Sequence, residues 1–379
     1  MNGNNGDQPS KPRFFFNIDT LGACNLRCPS CAVGNVAVKN PKGFMEVSLL
    51  ERVMDKAAAE CDLEGVALFA WTEPFLHPKL PELIRSVNAH GVQCSLSTNL
   101  NVIKNLDNIL AANPDSLRIS LSGFYQPTYG ITHRGGDIEK VKENMIELSH
   151  ARDRAGVKTR IHVMYHRYLG NLDEEILMRE YARSLGFAFQ PIWAFMMPLE
   201  KIDAYLDHDM SSFTEDDRKL MERLTVPLEV LPPILEKHKG TSCYLQTQQI
   251  SMDFRADVQL CCAVYDSSKF TVGNYLEVPI GDIQKRKYAH SMCDRCIGKG
   301  LHAYHTGIEN EFEEIALRRV KTRYQSADGK GVDFTHIPKP TAMDWSLRTG
   351  FAYLKRRFRK SPRVVSTYRW VKKRMTSDS

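Results

Sequence analysis

The chain has 379 residues, 42% of them hydrophobic and 25% charged, with ten cysteines and a formal net charge of +6. That balance is ordinary for a globular chain and fits two domains, or one barrel with an extension. It excludes a chain dominated by low-complexity sequence. The charge is uneven, because residues 351–379 hold ten Lys or Arg against one Asp. The body is therefore mildly acidic, which disfavours a nucleic-acid binder.

Residues 1–12 are polar, read as disordered, and lack the apolar core of a secretory signal. No apolar run reaches the roughly 18 residues of a membrane span. A cytoplasmic chain with reduced thiols is expected, its cysteines being metal ligands or reactive groups rather than disulfides.

The first strand is "RFFFNID", and further strands are predicted over 65–71, 93–99, 116–123, 159–166 and 187–195. Between the first two, Leu49, Leu50, Val53, Met54, Ala57 and Ala58 share a helical face, with Ser48 and Glu51 at capping-box spacing. Helical patterns recur in "LPELIRSV", "DIEKVKENMIEL" and "LDEEILMREYARSLG", the last stopped by Gly186. Six strand–helix repeats predict an α/β fold, a partial (β/α)6 barrel over 13–200, with its chemistry at the strand C-terminal ends. A helical linker is expected over 201–240, a small cysteine-bearing unit over 241–300, a mixed extension over 301–350 and a basic tail over 351–379.

After the first strand comes "CNLRCPSC", with thiols at Cys24, Cys28 and Cys31. Thiolates favour soft metals, notably zinc and iron–sulfur clusters. A structural zinc site takes four ligands, and no histidine within thirty residues supplies the fourth. Three cysteines on a cubane cluster leave one iron open.

The spacing Cys-x3-Cys-x2-Cys after a first barrel strand closely resembles the signature of radical S-adenosylmethionine (radical SAM) enzymes, a resemblance that covers about residues 13–200. It implies a [4Fe–4S] cluster on these cysteines, with S-adenosylmethionine as the other cofactor. It also implies a set of downstream cofactor contacts. In "AWTEPFLHP", Trp71 and Thr72 replace the glycines of a Gly-Gly-Glu motif, and Glu73 is kept to meet the methionine ammonium. "STNL" resembles the family's Thr-Asn-Gly, with Asn99 kept and Leu100 in place of Gly. Ser120 of "RISLSG" matches the fourth-strand serine that faces the cofactor, and Ser122 stands where Asp is usual. Arg134 of "HRGG" is the implied partner of the cofactor carboxylate. Ser30 replaces the aromatic residue that often precedes the third cysteine, so the adenine needs another surface.

A second cysteine region holds Cys243, Cys261, Cys262, Cys293 and Cys296. Its "QISMDFRADVQLCC" alternates like a hairpin turning at Arg255-Ala256-Asp257. The region resembles the SPASM or Twitch extension of radical SAM enzymes. A full SPASM extension needs more cysteines, so the count implies one auxiliary [4Fe–4S] cluster on Cys243, Cys261, Cys293 and Cys296, which is Twitch-like. Cys262 is left over, and a four-cysteine zinc knuckle is the rival. Cys61 and Cys94 read as core.

The resemblance implies an oxidoreductase that cleaves S-adenosylmethionine reductively and takes hydrogen from an unactivated C–H. Dehydrogenation or epimerisation of a sugar, aminocyclitol or other small molecule is expected. A peptide substrate, or a non-catalytic iron–sulfur protein, are the alternatives. Tyr165, His166 and Trp193 lie near late strand ends, where packing is the simpler account of each. An external electron donor such as flavodoxin or ferredoxin is implied. The tail mixes basic and aromatic residues, so contact with an anionic membrane surface is one reading beside a solvated end.

Overall fold

The computed structural model describes residues 11–306 and 309–328. The basic tail, residues 307–308 and 329–350 of the expected extension, and the first ten residues lie outside the described residues.

Nine strands make one sheet: β1 (Arg13–Ile18), β2 (Asp62–Ala67), β3 (Gln93–Thr98), β4 (Ser116–Leu121), β5 (Arg160–Arg167), β6 (Ala188–Trp193), β7 (Gln249–Met252), β8 (Asp257–Gln259) and β9 (Thr271–Asn274). Their order is β6-β5-β4-β3-β2-β1-β7-β8-β9. Strands β1 to β6 are parallel. The crossovers are the helices Val47–Glu60, Leu80–Ala89, Leu106–Ala111, Ile138–Ala155 and Leu172–Ser184. This is the parallel core of a partial barrel.

Strand alternation divides the two faces of the sheet. Phe14, Phe16 and Ile18 of β1, Leu117, Ile119 and Leu121 of β4, and Ile161, Val163 and Tyr165 of β5 are buried in the main core. Each contributes about 1.5–3 kcal/mol by leaving water. The intervening Arg118, Ser120, Met164 and His166 face a cavity on the other side. Gly65 serves that inner face, since a Cβ there would stand 3.0 Å from the Phe15 ring, where the β1–β2 register also shifts.

Two local expectations are corrected. The helix Val47–Glu60 is preceded by Glu46 as N-cap, with no side-chain cap bond, so Ser48 and Glu51 form no capping box. Chain entry decides this. Met45 is buried and donates its N–H to Thr20 O, so the helical turn begins directly after it. Strand β2 starts at Asp62 and ends at Ala67 rather than running to 71. Ala67 pairs with Asn17 near the end of β1, and beyond it Leu68 N bonds only across to Ser95 O. Gly186 does sit just past the helix Leu172–Ser184 with φ +71°, the left-handed conformation of a helix stop.

β7 lies parallel beside β1, from Phe15↔Gln249 to Ile18↔Met252, and turns into antiparallel β8 and β9. The second cysteine region therefore continues the barrel's own sheet. Helices Leu199–Leu206, Glu215–Arg223 and Leu231–Leu235 fill the segment between. The helix Glu309–Asp328 lies against β6, where Trp193 Nε1 donates to Glu313. No described helix is long and apolar enough to cross a membrane.

Candidate active site

The three-cysteine loop leaves β1 and is pinned from several sides. Arg27 N donates to Arg134 O at 3.0 Å, and Glu73 N to Ala23 O at 3.1 Å. Cys31 caps the short helix Ala32–Asn35, and its N–H meets Cys28 O at 3.1 Å. A Cβ at Gly34 would lie 2.2 Å from Cys28 O, so only glycine lets this turn close on the loop. Asn35 Nδ2 then donates to Pro29 O and Met197 O at 2.7 and 2.8 Å.

Burial raises the Cys24 thiol to about 11 and Cys31 to about 12, and holds Cys28 well above the usual range. At Cys28 the next causes are its neighbours Cys31 and Cys24. Three mutually repelling sulfurs share one space, and a bound cationic centre is what would let them ionise together. Among the described residues no three of His, Cys, Asp and Glu converge on one metal ion.

A cavity of about 390 Å³ opens beside the cysteines and is lined also by Thr72, Glu73, Asn99 and Ser120. Glu73 Oε2 accepts from Asn99 N at 2.7 Å, and Oε1 from Phe75 N at 3.0 Å. Burial outweighs those bonds and raises its carboxyl to about 7. Asn99 Nδ2 donates to Asn25 Oδ1 at 2.9 Å, which ties the third strand's end to the cysteine loop. Ser120 Oγ pairs with His166 Nε2 at 3.1 Å. Thr72 lines the cavity, while its hydroxyl donates to Asp19 and to Leu21 O. Leu100 adopts φ +54°, the left-handed conformation that the family's glycine would take without strain. Its complete burial offsets part of that cost.

Arg134 is not brought to the cavity. Its guanidinium is half-exposed and pairs with Asp216 at 2.8 Å. Its neighbour His133 turns inward, held by Ser122 Oγ at 2.8 Å and stacked on Tyr129 at 4.8 Å. Burial pulls His133 down to about 4 and His166 to about 3, so both are neutral at physiological pH. Of the late-strand candidates, His166 and Trp193 line the cavity. Tyr165 faces the other side of β5, its hydroxyl donating to Asn171 O at 2.7 Å. Sequence reading missed His133 and Arg118, although the alternation that placed Ser120 inward places Arg118 inward too.

Residues 18–176 match the profile of the Radical SAM superfamily. The chain carries a radical SAM domain. Its loop cysteines and cavity are thus where the family implies a [4Fe–4S] cluster and S-adenosylmethionine, and the clustered thiols beside a buried carboxylate fit that pair. The chain is 26% identical over 85 residues to the tungsten-containing aldehyde ferredoxin oxidoreductase cofactor-modifying protein of Pyrococcus furiosus, a stretch covering 22% of this chain and 23% of that protein. The match thus spans under a quarter of the curated relative.

In fold, the chain is similar to native anSMEcpe with bound AdoMet, at TM-score 0.52 and 17% identity, covering 82% of this chain and 98% of that one. Streptococcus suis SuiB bound to S-adenosylmethionine is similar at TM-score 0.52 and 13% identity, covering 76% and 68%. SuiB bound to precursor peptide SuiA gives TM-score 0.51 at 14% identity, covering 77% and 70%.

Beyond the radical SAM domain, Cys243, Cys261, Cys293 and Cys296 line one small cavity, and Cys262 does not. His305 borders both this space and the barrel cavity. Trp71 joins the two regions, its Nε1 donating to Val264 O at 3.2 Å and its ring meeting Tyr265 edge-on. Lys287, in what looks like a solvated basic run, is fully buried and donates to Leu245 O and Gln249 O at 2.8 and 2.6 Å. Burial lowers it to about 8, opposed by the nearby thiols Cys261, Cys293, Cys243 and Cys262. Were those thiols ionised on a metal centre, the buried ammonium would offset part of their negative charge. Lys287→Met is therefore expected to lower iron retention after anaerobic reconstitution, measured as iron per chain on gel-filtered protein. Unchanged iron content would contradict that role.

Proposed function

We propose that the chain is a radical SAM oxidoreductase with one auxiliary, SPASM- or Twitch-like [4Fe–4S] cluster on Cys243, Cys261, Cys293 and Cys296. On this reading it cleaves S-adenosylmethionine reductively and takes a hydrogen atom from an unactivated C–H of its substrate. When bound, the first cluster, on Cys24, Cys28 and Cys31, supplies the electron for cleavage, drawn from an external donor such as flavodoxin or ferredoxin.

The chain's own part is positioning. Glu73 receives the cofactor ammonium, Asn99 holds that carboxylate against the cysteine loop, and Ser120 faces the cofactor from the fourth strand. The observation that carries the two-cluster reading is the shared wall at His305. A residue common to both linings supports reading the second thiol group as an electron acceptor for a substrate in the cavity. A cluster held by those four cysteines would supply an acceptor for the substrate's second electron, so that with the hydrogen atom and a proton also lost the net change would be a two-electron dehydrogenation. A small molecule fits the cavity's size. The likeness to SuiB bound to a precursor peptide supports a peptide segment as the second reading.

The test is an anaerobic assay of the reconstituted chain with dithionite, S-adenosylmethionine and panels of sugars, aminocyclitols and peptides. Substrate-dependent 5′-deoxyadenosine is the expected result. Intact clusters without 5′-deoxyadenosine under any condition would favour a non-catalytic iron–sulfur protein.

Glu73 gives this reading a pH signature. The folded carboxyl holds its proton to about 7 against an ordinary 4.5, so its contribution to stability falls as pH rises between those values. A bound ammonium reverses the preference and favours the carboxylate. Cofactor affinity should then rise roughly tenfold from about pH 5.5 to about 7.5, and calorimetry on Glu73→Gln should find that slope gone. The variant should bind roughly thirtyfold more weakly at about pH 7.5. A Glu73→Gln affinity equal to wild type would remove Glu73 from the cofactor site.

A further inference from the structure

Barrels of parallel strands are commonly filled by branched apolar residues. Here the inner face below Ser120 is polar. Ser116 Oγ donates to Ser95 Oγ at 3.0 Å, and Arg118 Nε donates to Ser97 Oγ at 2.9 Å. The Arg118 guanidinium also lies over the Phe69 ring, 4.6 Å from its centroid. Ser97 and Phe69 thus fix the plane of the fork.

The two terminal nitrogens have no protein acceptor, and Arg118 has no carboxylate partner, among the described residues. The charged or titratable groups that face it are histidines, His162 and His166 of β5. Burial alone lowers its pKa, to about 10, and it stays charged. A half-buried cation that lines a cavity without a counter-ion is poorly explained by packing alone.

Position separates Arg118 from the cofactor contacts. It precedes Ser120 by two residues on β4, so it lies roughly 7 Å toward the strand's N-terminal end. We infer that Arg118 anchors a carboxylate of the substrate, its two free terminal nitrogens donating to the two oxygens side by side. This rests on the reading of the cavity as a radical SAM substrate site and narrows the substrate to one that carries an acidic group. The bearer is a free organic acid or the side chain of a Glu or Asp in a peptide.

The test uses the reconstituted full chain saturated with S-adenosylmethionine and titrated calorimetrically with glutarate. Glutarate should bind the wild type, and roughly thirtyfold more weakly Arg118→Gln. Arg118→Lys should recover part of the loss. Arg160→Gln, at the exposed start of β5, should behave as wild type and controls for charge alone. No binding to wild type, or equal binding to wild type and Arg118→Gln, overturns the proposal. So does a loss of S-adenosylmethionine affinity in Arg118→Gln as large as the loss for glutarate, which would assign the cation to the cofactor. Tighter binding of a Glu-containing peptide or of the free diacid supports the anchor in either case and identifies its bearer. The titration needs no cofactor cleavage. Absent cleavage with Arg118-dependent binding would sink the radical reading and leave the anchor standing.

Discussion

Cys28→Ser is expected to give a folded chain that forms no 5′-deoxyadenosine and retains about four of about eight irons. Cys28 stands between Cys24 and Cys31 in the loop, and each of the other two thiols raises its pKa further. A serine hydroxyl offers neither the soft donor nor the ionisation that a cluster iron needs. Folding should survive, because the loop is held by bonds that do not involve the sulfur: Arg27 to Arg134, Glu73 to Ala23, and Asn35 to Pro29 and Met197. Cys293→Ser is the counterpart. It should lose the other share of iron while cleavage of S-adenosylmethionine continues. Full cleavage activity in Cys28→Ser would remove the loop from the chemistry.

Asp217→Ala should destabilise the fold by about 3–5 kcal/mol, the usual cost of leaving a buried charge unpaired. Lys201 Nζ sits 2.6 Å from both Asp217 oxygens, and both residues are buried. The same ammonium donates to Asn35 O at 2.8 Å, at the end of the helix that follows Cys31. Asp217 also accepts from Thr214 N and Oγ1 in the cap of the helix Glu215–Arg223. Removing the carboxylate therefore strands Lys201, opens that cap and loosens the backing of the cysteine loop. Denaturant unfolding of the apo chain measures the effect. The double variant Lys201→Met/Asp217→Leu should recover most of the loss, since no charge is then left buried. A loss below about 1 kcal/mol for Asp217→Ala would mean that water reaches the site.

Much of this was legible in the residues, for a physical reason. Period-two alternation bounded by turns gave β1, β3, β4, β5 and β6 to within a few residues. The cysteine spacing located the first thiol group without any tertiary information. What failed depended on neighbours distant in sequence. β2 stops at Ala67, where its pairing with β1 ends at Asn17 while β1 itself goes on to pair through Ile18 with β7, and the helix after Met45 starts early because Met45 is buried against the loop. Of the "HRGG" pair, His133 turned inward and Arg134 outward, a choice made by Asp216 and by the Ser122–Tyr129 pocket rather than by local pattern. Lys287 could not be told from a solvated lysine within "QKRKY" until β7 and the thiols closed over it.

The most direct measurement is Mössbauer spectroscopy with parallel iron, sulfide and zinc analysis on the anaerobically reconstituted full chain. The account predicts about eight irons in two [4Fe–4S] clusters, one of which changes its spectrum at a single iron when S-adenosylmethionine is added. About four irons with one zinc, or two clusters that both ignore S-adenosylmethionine, would contradict it.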